Sequence, residues 1–554
     1  PSASDLVQGE LAVNVTDKRL YTENNAGAIV ELGTNPASAV TMASTLAVTG
    51  NVDFNGDLDV DGTSNLDVID VDGAANFAAD VTFANGADLI TASAGTSNFR
   101  AGVNAGNSIT SGGNYNVVVG DEAGTAITTG DENVAIGYAA LDAQQTGGQN
   151  IAIGSNALGS EASGSYNTAV GREALKAQNG ASHNTAIGRT AGMLITTGTQ
   201  NTLVGSAAGD AITTGSYNSL VGVNAGGATT TGAQNVAFGQ GALATNTTGS
   251  TNTALGDSSL AANTTASNNT AVGQAALAAN TTGSENTAVG TNALDANTTA
   301  VNNTAVGYGS LTANTDGAQN TAVGGRSMEA NTTGANNTAF GWGSLVANTT
   351  GGSLTALGRS ALANNTTASD NTAVGWFALV GNTTGANNTA TGKQALGANT
   401  TGAHNTAHGS RALLTNTTAS GNTAVGNDAL LLNTTGAGLV AVGYTALDAN
   451  TTGDWNTACG YTALGVNTTG AQNTAVGTFS LDANTTGVNN TAVGYAALGA
   501  NTTAADNTAV GFEALKVTTT GHSNTAVGKV SLVANTEGLR NTALGFNAGG
   551  GVTN

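Results

Sequence analysis

The sequence is poor in cysteine, proline, aromatic residues and positive charge. Its 554 residues include one Cys, two Pro and three Trp, and only 9% are charged. A single cysteine excludes a disulfide framework, and no stretch is apolar over the ~18 residues that a membrane-spanning helix needs. With 13 Lys and Arg against 35 Asp and Glu, the net charge is −22. We therefore expect neither nucleic acid, which requires basic patches, nor membrane insertion.

Glycine, in contrast, is abundant, with 80 residues, and much of it follows a fixed period. From Gly120 to Gly545 a glycine recurs in 25 steps of 17 residues without any insertion. Gly102 lies one residue out of this frame, and we interpret it as the start of a capping copy. Such a period is the signature of a repeat architecture, and it defines an array over residues 99–554.

Each repeat predicts one coil of an all-β solenoid, or β-roll. In the copy N-T-A-V-G-Y-A-A-L-G-A-N-T-T-A-A-D at 490–506, Thr491 and Val493 flank a small residue, as in a strand with one buried face. Helices are disfavoured because every copy carries Gly, which costs roughly 1 kcal/mol relative to Ala. We predict two short strands and two tight corners per coil. At ~4.8 Å per coil the 25 steps give a rod of roughly 120 Å.

A leucine follows the repeated glycine by four residues in most copies, as Leu498 follows Gly494. Met328 fills this position once, and in the other copies without leucine glycine takes its place; three of those copies have an isoleucine three residues later. The residues are Gly124, Gly192, Gly209, Gly226 and Gly549, with Ile127, Ile195 and Ile212. Because a core must conserve volume, we predict that the isoleucine fills the same pocket.

The composition also predicts association between chains. Each coil contributes only two or three aliphatic side chains, and aromatic residues make up 4% of the chain. One thin solenoid would bury little apolar surface, whereas the alanine positions would allow chains to approach closely. We therefore predict a homotrimer of solenoids packed side by side.

Two segments precede the array. Residues 1–36 predict a small β module, with strands in Gly9-Glu-Leu-Ala-Val-Asn-Val15 and at 28–33 and a turn at 24–27. Residues 37–98 alternate apolar and acidic residues with glycine punctuation, which favours an acidic β-shaft.

The shaft contains the one candidate metal site. Asp57-x-Asp59-x-Asp61-Gly62 matches the start of an EF-hand calcium loop, and a trimer would bring three copies together, which favours Ca²⁺. Val68, however, stands where that loop requires its bidentate Glu. The alternative interpretation is a solvated strand face.

Nothing in the repeats predicts catalysis. The carboxylates follow no evident position of the repeat, so no paired-acid site is expected to recur, and we predict neither an enzyme nor a cofactor. We interpret Cys459, which stands in the valine position before Gly460, as a small buried hydrophobe.

Two surfaces of the array are candidates for contact. The recurring Asn-Thr-Thr corner matches a glycosylation sequon, but asparagines that stack and hydrogen-bond along the rod explain it better; threonine rows also admit an ice-binding interpretation. Several aromatic residues of the array, though not all, directly follow the repeated glycine, where the side chain should leave the core. Trp342, Trp376 and Trp455 are our candidates for surface contact, because such side chains anchor protein contacts or stack on sugars. The alternative is packing between chains.

The repeat resembles the head repeats of trimeric autotransporter adhesins (YadA-like), which carry N-S-V-A-I-G and form a trimeric β-roll. The most similar copies are Asn133-Val-Ala-Ile-Gly137 and Asn150-Ile-Ala-Ile-Gly154, although the repeat is longer here. Similar N-T-A-[VI]-G arrays occur in bacteriophage tail fibres. The N-terminal segment, with Gly9-Glu-Leu-Ala-Val-Asn and then Val30-Glu-Leu-Gly33, is also similar to the start of tail fibres, where it faces the virion.

These resemblances imply a structural adhesion fibre of a bacteriophage virion. The expected partners are two further copies of the chain, a tail or baseplate protein bound through the N-terminal region, and a host-surface glycan or protein. A bacterial trimeric surface adhesin is the alternative, and an ice-binding solenoid is a third possibility.

Overall fold

The computed structural model describes residues 7–31, apart from residues 9, 15, 17 and 18, and residues 94–553. The described residues belong to two compact units, one on each side of residue 87. They contain strands, turns and bends, and no helix among them. The candidate calcium ligands Asp57, Asp59 and Asp61, and nearly all of the predicted shaft, lie outside the described residues.

The first unit contains a three-stranded antiparallel sheet. Its strands are β1 (Leu11–Asn14), β2 (Arg19–Glu23) and β3 (Ile29–Glu31), and β2 lies in the middle. The predicted turn at 24–27 joins β2 to β3. There the N–H of Asn24 donates to Ala28 O at 2.9 Å, and Gly27 takes a positive φ of 73°, which glycine adopts without steric cost.

The second unit is the predicted solenoid. One three-residue strand per coil pairs in parallel with the equivalent strand of the next coil, and after β5 the register advances by 17 residues each time, as in Thr491↔Thr508. Phe99 pairs with Val117, an 18-residue step, so Gly102 does begin a first coil. The strands are β4 (Phe99–Ala101), β5 (Val117–Val119), β6 (Val134–Ile136), β7 (Ile151–Ile153), β8 (Thr168–Val170), β9 (Thr185–Ile187), β10 (Thr202–Val204), β11 (Ser219–Val221), β12 (Val236–Phe238), β13 (Thr253–Leu255), β14 (Thr270–Val272), β15 (Thr287–Val289), β16 (Thr304–Val306), β17 (Thr321–Val323), β18 (Thr338–Phe340), β19 (Thr355–Leu357), β20 (Thr372–Val374), β21 (Thr389–Thr391), β22 (Thr406–His408), β23 (Thr423–Val425), β24 (Val440–Val442), β25 (Thr457–Cys459), β26 (Thr474–Val476), β27 (Thr491–Val493), β28 (Thr508–Val510), β29 (Thr525–Val527) and β30 (Thr542–Leu544).

The interior of the coil holds the small side chains, which corrects two predictions. Ala492, at the centre of its strand, is fully buried, whereas Thr491 and Val493 point outward. Ala497 and Leu498 fill the other side of the interior. The alanines lie inside the coil and therefore cannot provide the close approach between chains that we predicted for them. Each coil has one strand rather than the predicted two, because its opposite side is built from turns.

Two rows of buried asparagine hydrogen-bond along the solenoid. The N–H of Asn490 donates to Asn473 Oδ1 (2.9 Å), and its Nδ2 donates to the carbonyl of Ala504 (2.8 Å). In the second row Asn501 Nδ2 donates to Asn484 Oδ1 at 2.8 Å. These amides pair backbone groups at corners that no strand can satisfy, and they confirm the stacked-asparagine interpretation of the Asn-Thr-Thr corner.

The leucine position adopts a left-handed backbone. Leu498 has φ 52° although left-handed φ costs a non-glycine residue roughly 1–2 kcal/mol. Full burial of a leucine contributes a similar amount, about 1.5–3 kcal/mol. Gly209 takes the same conformation (φ 55°), and a Cβ built there would lie 2.7 Å from Ile212 Cδ1. The isoleucine does fill the pocket, as predicted.

We predict that removing one buried asparagine uncouples adjacent coils. Asn303 Oδ1 accepts from the N–H of Asn320 (2.9 Å), and its Nδ2 donates to Gly317 O (2.9 Å). Asn303→Ala leaves the buried N–H of Asn320 unpaired, whereas Gly317 O keeps the hydrogen bond that Asn314 Nδ2 donates to it (2.9 Å). One unpaired buried group costs about 1–3 kcal/mol. Denaturant unfolding should register this loss, and amide exchange at Asn320 should accelerate.

The exposed Thr282→Ala is the matched control, and surface changes of this kind usually stay within about 0.5 kcal/mol. Equal effects of the two substitutions would contradict the role assigned to the buried row.

Candidate functional site

The outward side of the parallel sheet, which we call the sheet face, carries no Asp, Glu, Lys or Arg from β5 to β30. It is formed by the first and third residues of each strand. The third residue is Val, Ile, Leu or Phe in every one of these strands except at Thr391, His408 and Cys459. In the single chain Phe238 and Phe340 are 61% and 59% exposed. The sheet face is thus an uncharged, largely apolar stripe along the whole array.

Cys459 lies on this face and is exposed in the single chain, so our interpretation of it as a buried residue was wrong. The valine position points outward in every coil because the interior is already occupied by leucine, alanine and asparagine. The thiol of Cys459 therefore points away from the interior of the coil.

The three candidate tryptophans do not all lie at the same position of the coil. Trp342 and Trp376 directly follow the repeated glycine, two coils apart, and both are about half exposed. The guanidinium of Arg359 lies 5.4 Å from the Trp342 ring, and Lys393 Nζ lies 5.1 Å from that of Trp376. Trp455 is exposed at another position of the coil. Trp342 and Trp376 share one side of the rod, and Trp455 does not belong to that row.

A second and denser group, which we call the aromatic row, occupies the position after the glycine in four coils and the next position, at Phe479, in a fifth. It consists of Tyr444, Tyr461, Phe479, Tyr495 and Phe512 in five consecutive coils. Successive ring centroids lie 5.5, 5.5, 6.0 and 5.2 Å apart. The two outer pairs are stacked, and Phe479 stands edge-on between them. Such contacts contribute about 0.5–1.5 kcal/mol per pair, so the row also stabilises the stack.

Two clefts of about 430 and 400 Å³ lie beside the aromatic row. They share Phe479 and Asp482 and therefore lie next to one another along the rod. The hydroxyl oxygens of Thr445 and Thr462 in their wall have no hydrogen-bond partner within the described part of the chain. The polar lining residues are Thr445, Asp448, Thr462, Asp482, Tyr495 and Lys516.

The aspartates of these clefts belong to a recurring position that the sequence analysis missed. Four aspartates directly follow the leucine, and a fifth follows Gly209, which replaces it, so the expectation that the carboxylates share no position was wrong. Burial raises the pKa of each carboxyl above its usual value of 3.8. The residues are Asp142, Asp210, Asp295, Asp448 and Asp482. Each lies in a different coil, and the two nearest, Asp448 and Asp482, are two coils apart.

The described residues include no cluster of three His, Cys, Asp or Glu that could hold a metal ion. Nor does any helix in that part of the chain have the length and apolarity to cross a membrane. The chain matches no protein-family model, no curated protein and no solved structure.

The five half-buried aspartates make a prediction about pH. Because their folded pKa values lie above 3.8, the folded state binds protons more tightly than the unfolded state, and stability must increase as pH falls toward that value. When the pH is lowered from about 7 to about 4.5, the melting temperature of the wild type should rise. Changing all five residues to Asn should raise it at neutral pH and flatten this dependence.

The control replaces the exposed Asp257 and Asp370 by Asn and should retain the wild-type slope. A five-residue variant with an undiminished slope would contradict the assignment.

Proposed function

We propose that the chain is a structural fibre of a bacteriophage virion. Three copies form a rod, which is anchored by its N-terminal region to a tail or baseplate protein. The rod projects toward the host cell and contacts glycan or protein on its surface, without catalysis. The observation that carries the proposal is the uncharged sheet face.

The sheet face supports self-association because charge is missing from it and present elsewhere. The chain has a net charge of −22, yet none of its carboxylates lies on the sheet face between β5 and β30. Desolvating an ion costs several kcal/mol, so a face that another chain covers should avoid charge. Apolar stripes of this length are rare on free monomers. Three such faces around a common axis would cover one another in a closed, symmetric assembly.

The fibre role follows from length and repetition. Twenty-five steps of ~4.8 Å give a rod of roughly 120 Å, long enough to hold a contact surface away from the particle that carries it. Three chains with repeated coils offer many equivalent positions, so weak individual contacts can add up to firm attachment. The candidate contacts Trp342, Trp376 and Trp455 are exposed on sides of the coil other than the sheet face.

Ice binding is the less favoured alternative because the threonine rows are partly used inside the stack. The hydroxyl of Thr247 donates to Thr264 O at 3.0 Å, and the first threonine of most Asn-Thr-Thr corners makes the same bond. Of the two corner threonines, only the second then remains for solvent. A bacterial trimeric adhesin would use the same sheet face and is distinguished by where the protein is found.

Cys459 provides a direct test of whether the sheet face is covered. If three chains bury it, a maleimide should label its thiol at least about tenfold more slowly in the native protein than in the denatured protein, since thiol reactivity depends on access. The control combines Cys459→Val with Thr469→Cys, which places the thiol at an exposed corner and should react rapidly in both states. Equally fast native labelling at both positions would rule out coverage of this face.

The location is tested on particles. Gold-labelled antibodies against residues 99–554 should decorate fibres that project from purified virions and should reduce adsorption of the virions to cells. Decoration of the bacterial envelope in uninfected cells would instead support the surface adhesin.

A further inference from the structure

The aromatic row and its clefts form an elongated track rather than a closed pocket. The two clefts share Phe479 and Asp482, and the row extends over five coils. Tyr444, Tyr461 and Tyr495 are each about half exposed, so their rings are available from the side. A ligand that occupied the track would lie parallel to the rod axis.

The polar groups of the track specify the charge of its occupant. Asp448 and Asp482 present hydrogen-bond acceptors, and Lys516 Nζ is already paired with Glu513 at 2.6 Å. Lys529 Nζ lies 5.5 Å from the Phe512 ring at the far end of the row. Within the lining of the two clefts, two carboxylates against one neutralised ammonium disfavour an anionic ligand by like-charge repulsion. They favour a ligand that offers hydroxyl donors. Tyrosine and phenylalanine rings provide the flat apolar surfaces against which the C–H faces of sugars pack.

The spacing favours a polymer. Asp448 and Asp482 are two coils apart, which is ~10 Å at the strand spacing of ~4.8 Å, and the aromatic rings recur once per coil. A track whose donors, acceptors and rings repeat along one axis is complementary to a chain whose units repeat in the same way. One coil spacing is also comparable to the length of one sugar unit in an extended polysaccharide.

We propose that the track formed by Tyr444, Tyr461, Phe479, Tyr495 and Phe512 with Asp448 and Asp482 binds a neutral polysaccharide chain along the rod. This inference rests on the proposed adhesive function and names the class of its surface ligand. The rings pack against the sugar faces, and the two carboxylates accept hydrogen bonds from sugar hydroxyls.

The test is affinity electrophoresis of the full chain in native gels that contain dextran, galactomannan or xyloglucan, with alginate as the anionic probe. At least one neutral polymer should retard the wild type, and alginate should not. Tyr461→Ala with Tyr495→Ala should weaken the retarding interaction at least about tenfold, a loss of ~1.4 kcal/mol.

Two further variants make the result specific. Tyr138→Ala with Tyr308→Ala removes exposed tyrosines from the same coil position outside the row and should leave binding unchanged. Asp448→Ala with Asp482→Ala removes the acceptors, and it should fold because Ala occupies this position in other coils, such as Ala261 and Ala278. This variant should also lose binding, and it keeps the test valid if loss of the rings destabilises the stack.

Three results would overturn the proposal: no neutral polymer retards the wild type, alginate alone does, or the acceptor variant binds as tightly as the wild type and the control variant. Binding of a protein partner by the track in place of these polymers would likewise reject it. None of these outcomes affects the labelling of Cys459 or of virions, so a failure here is distinguishable from a failure of the fibre assignment.

Discussion

The solenoid depends on closing a 17-residue coil while leaving no buried backbone group unpaired. Strand pairing satisfies only three residues of each coil, and the corners would otherwise bury free carbonyls and amides. Backbone bonds between adjacent coils, such as Leu498 N–H to Ala514 O at 3.0 Å, pair many of these groups. The buried asparagines pair others: Asn303, for example, donates to a carbonyl of its own coil and accepts from an N–H of the next. A coil is therefore complete only when another coil of the same length lies against it, which explains why the period never changes from Gly120 to Gly545.

The rest of the molecule follows from this fixed stacking. Because every coil superimposes on the next, a residue type repeated at one position becomes a continuous row on one side of the rod. Valine and threonine make the sheet face, and Tyr444 to Phe512 make the aromatic row. Side chains of one type therefore form rows parallel to the rod axis. Such a row suits side-by-side assembly of chains on one side of the rod and an extended ligand on another.

Periodicity was sufficient to predict the solenoid, its register, the isoleucine that replaces leucine and the stacked asparagines. It could not identify the inward side of the strand, because alternation separates two sides without saying which is buried when Ala492 and Val493 are both apolar. The left-handed backbone at the leucine position could have been predicted, because glycine, which favours that conformation, replaces leucine in some copies, as at Gly209. The sequence gives weaker evidence for the clefts. Asp448 and Asp482, which line them, are two of only five aspartates at a position that recurs throughout the array.

The central claim is that the uncharged sheet face holds three chains together, and the native mass of the full chain tests it most directly. Three chains of 53.5 kDa give about 160 kDa by light scattering, and Val425→Lys with Val442→Lys, which places charge on the sheet face, should shift the distribution toward the single chain. A wild type that stays at 53.5 kDa across the accessible concentration range would contradict the claim. So would an assembly that these two lysines leave intact.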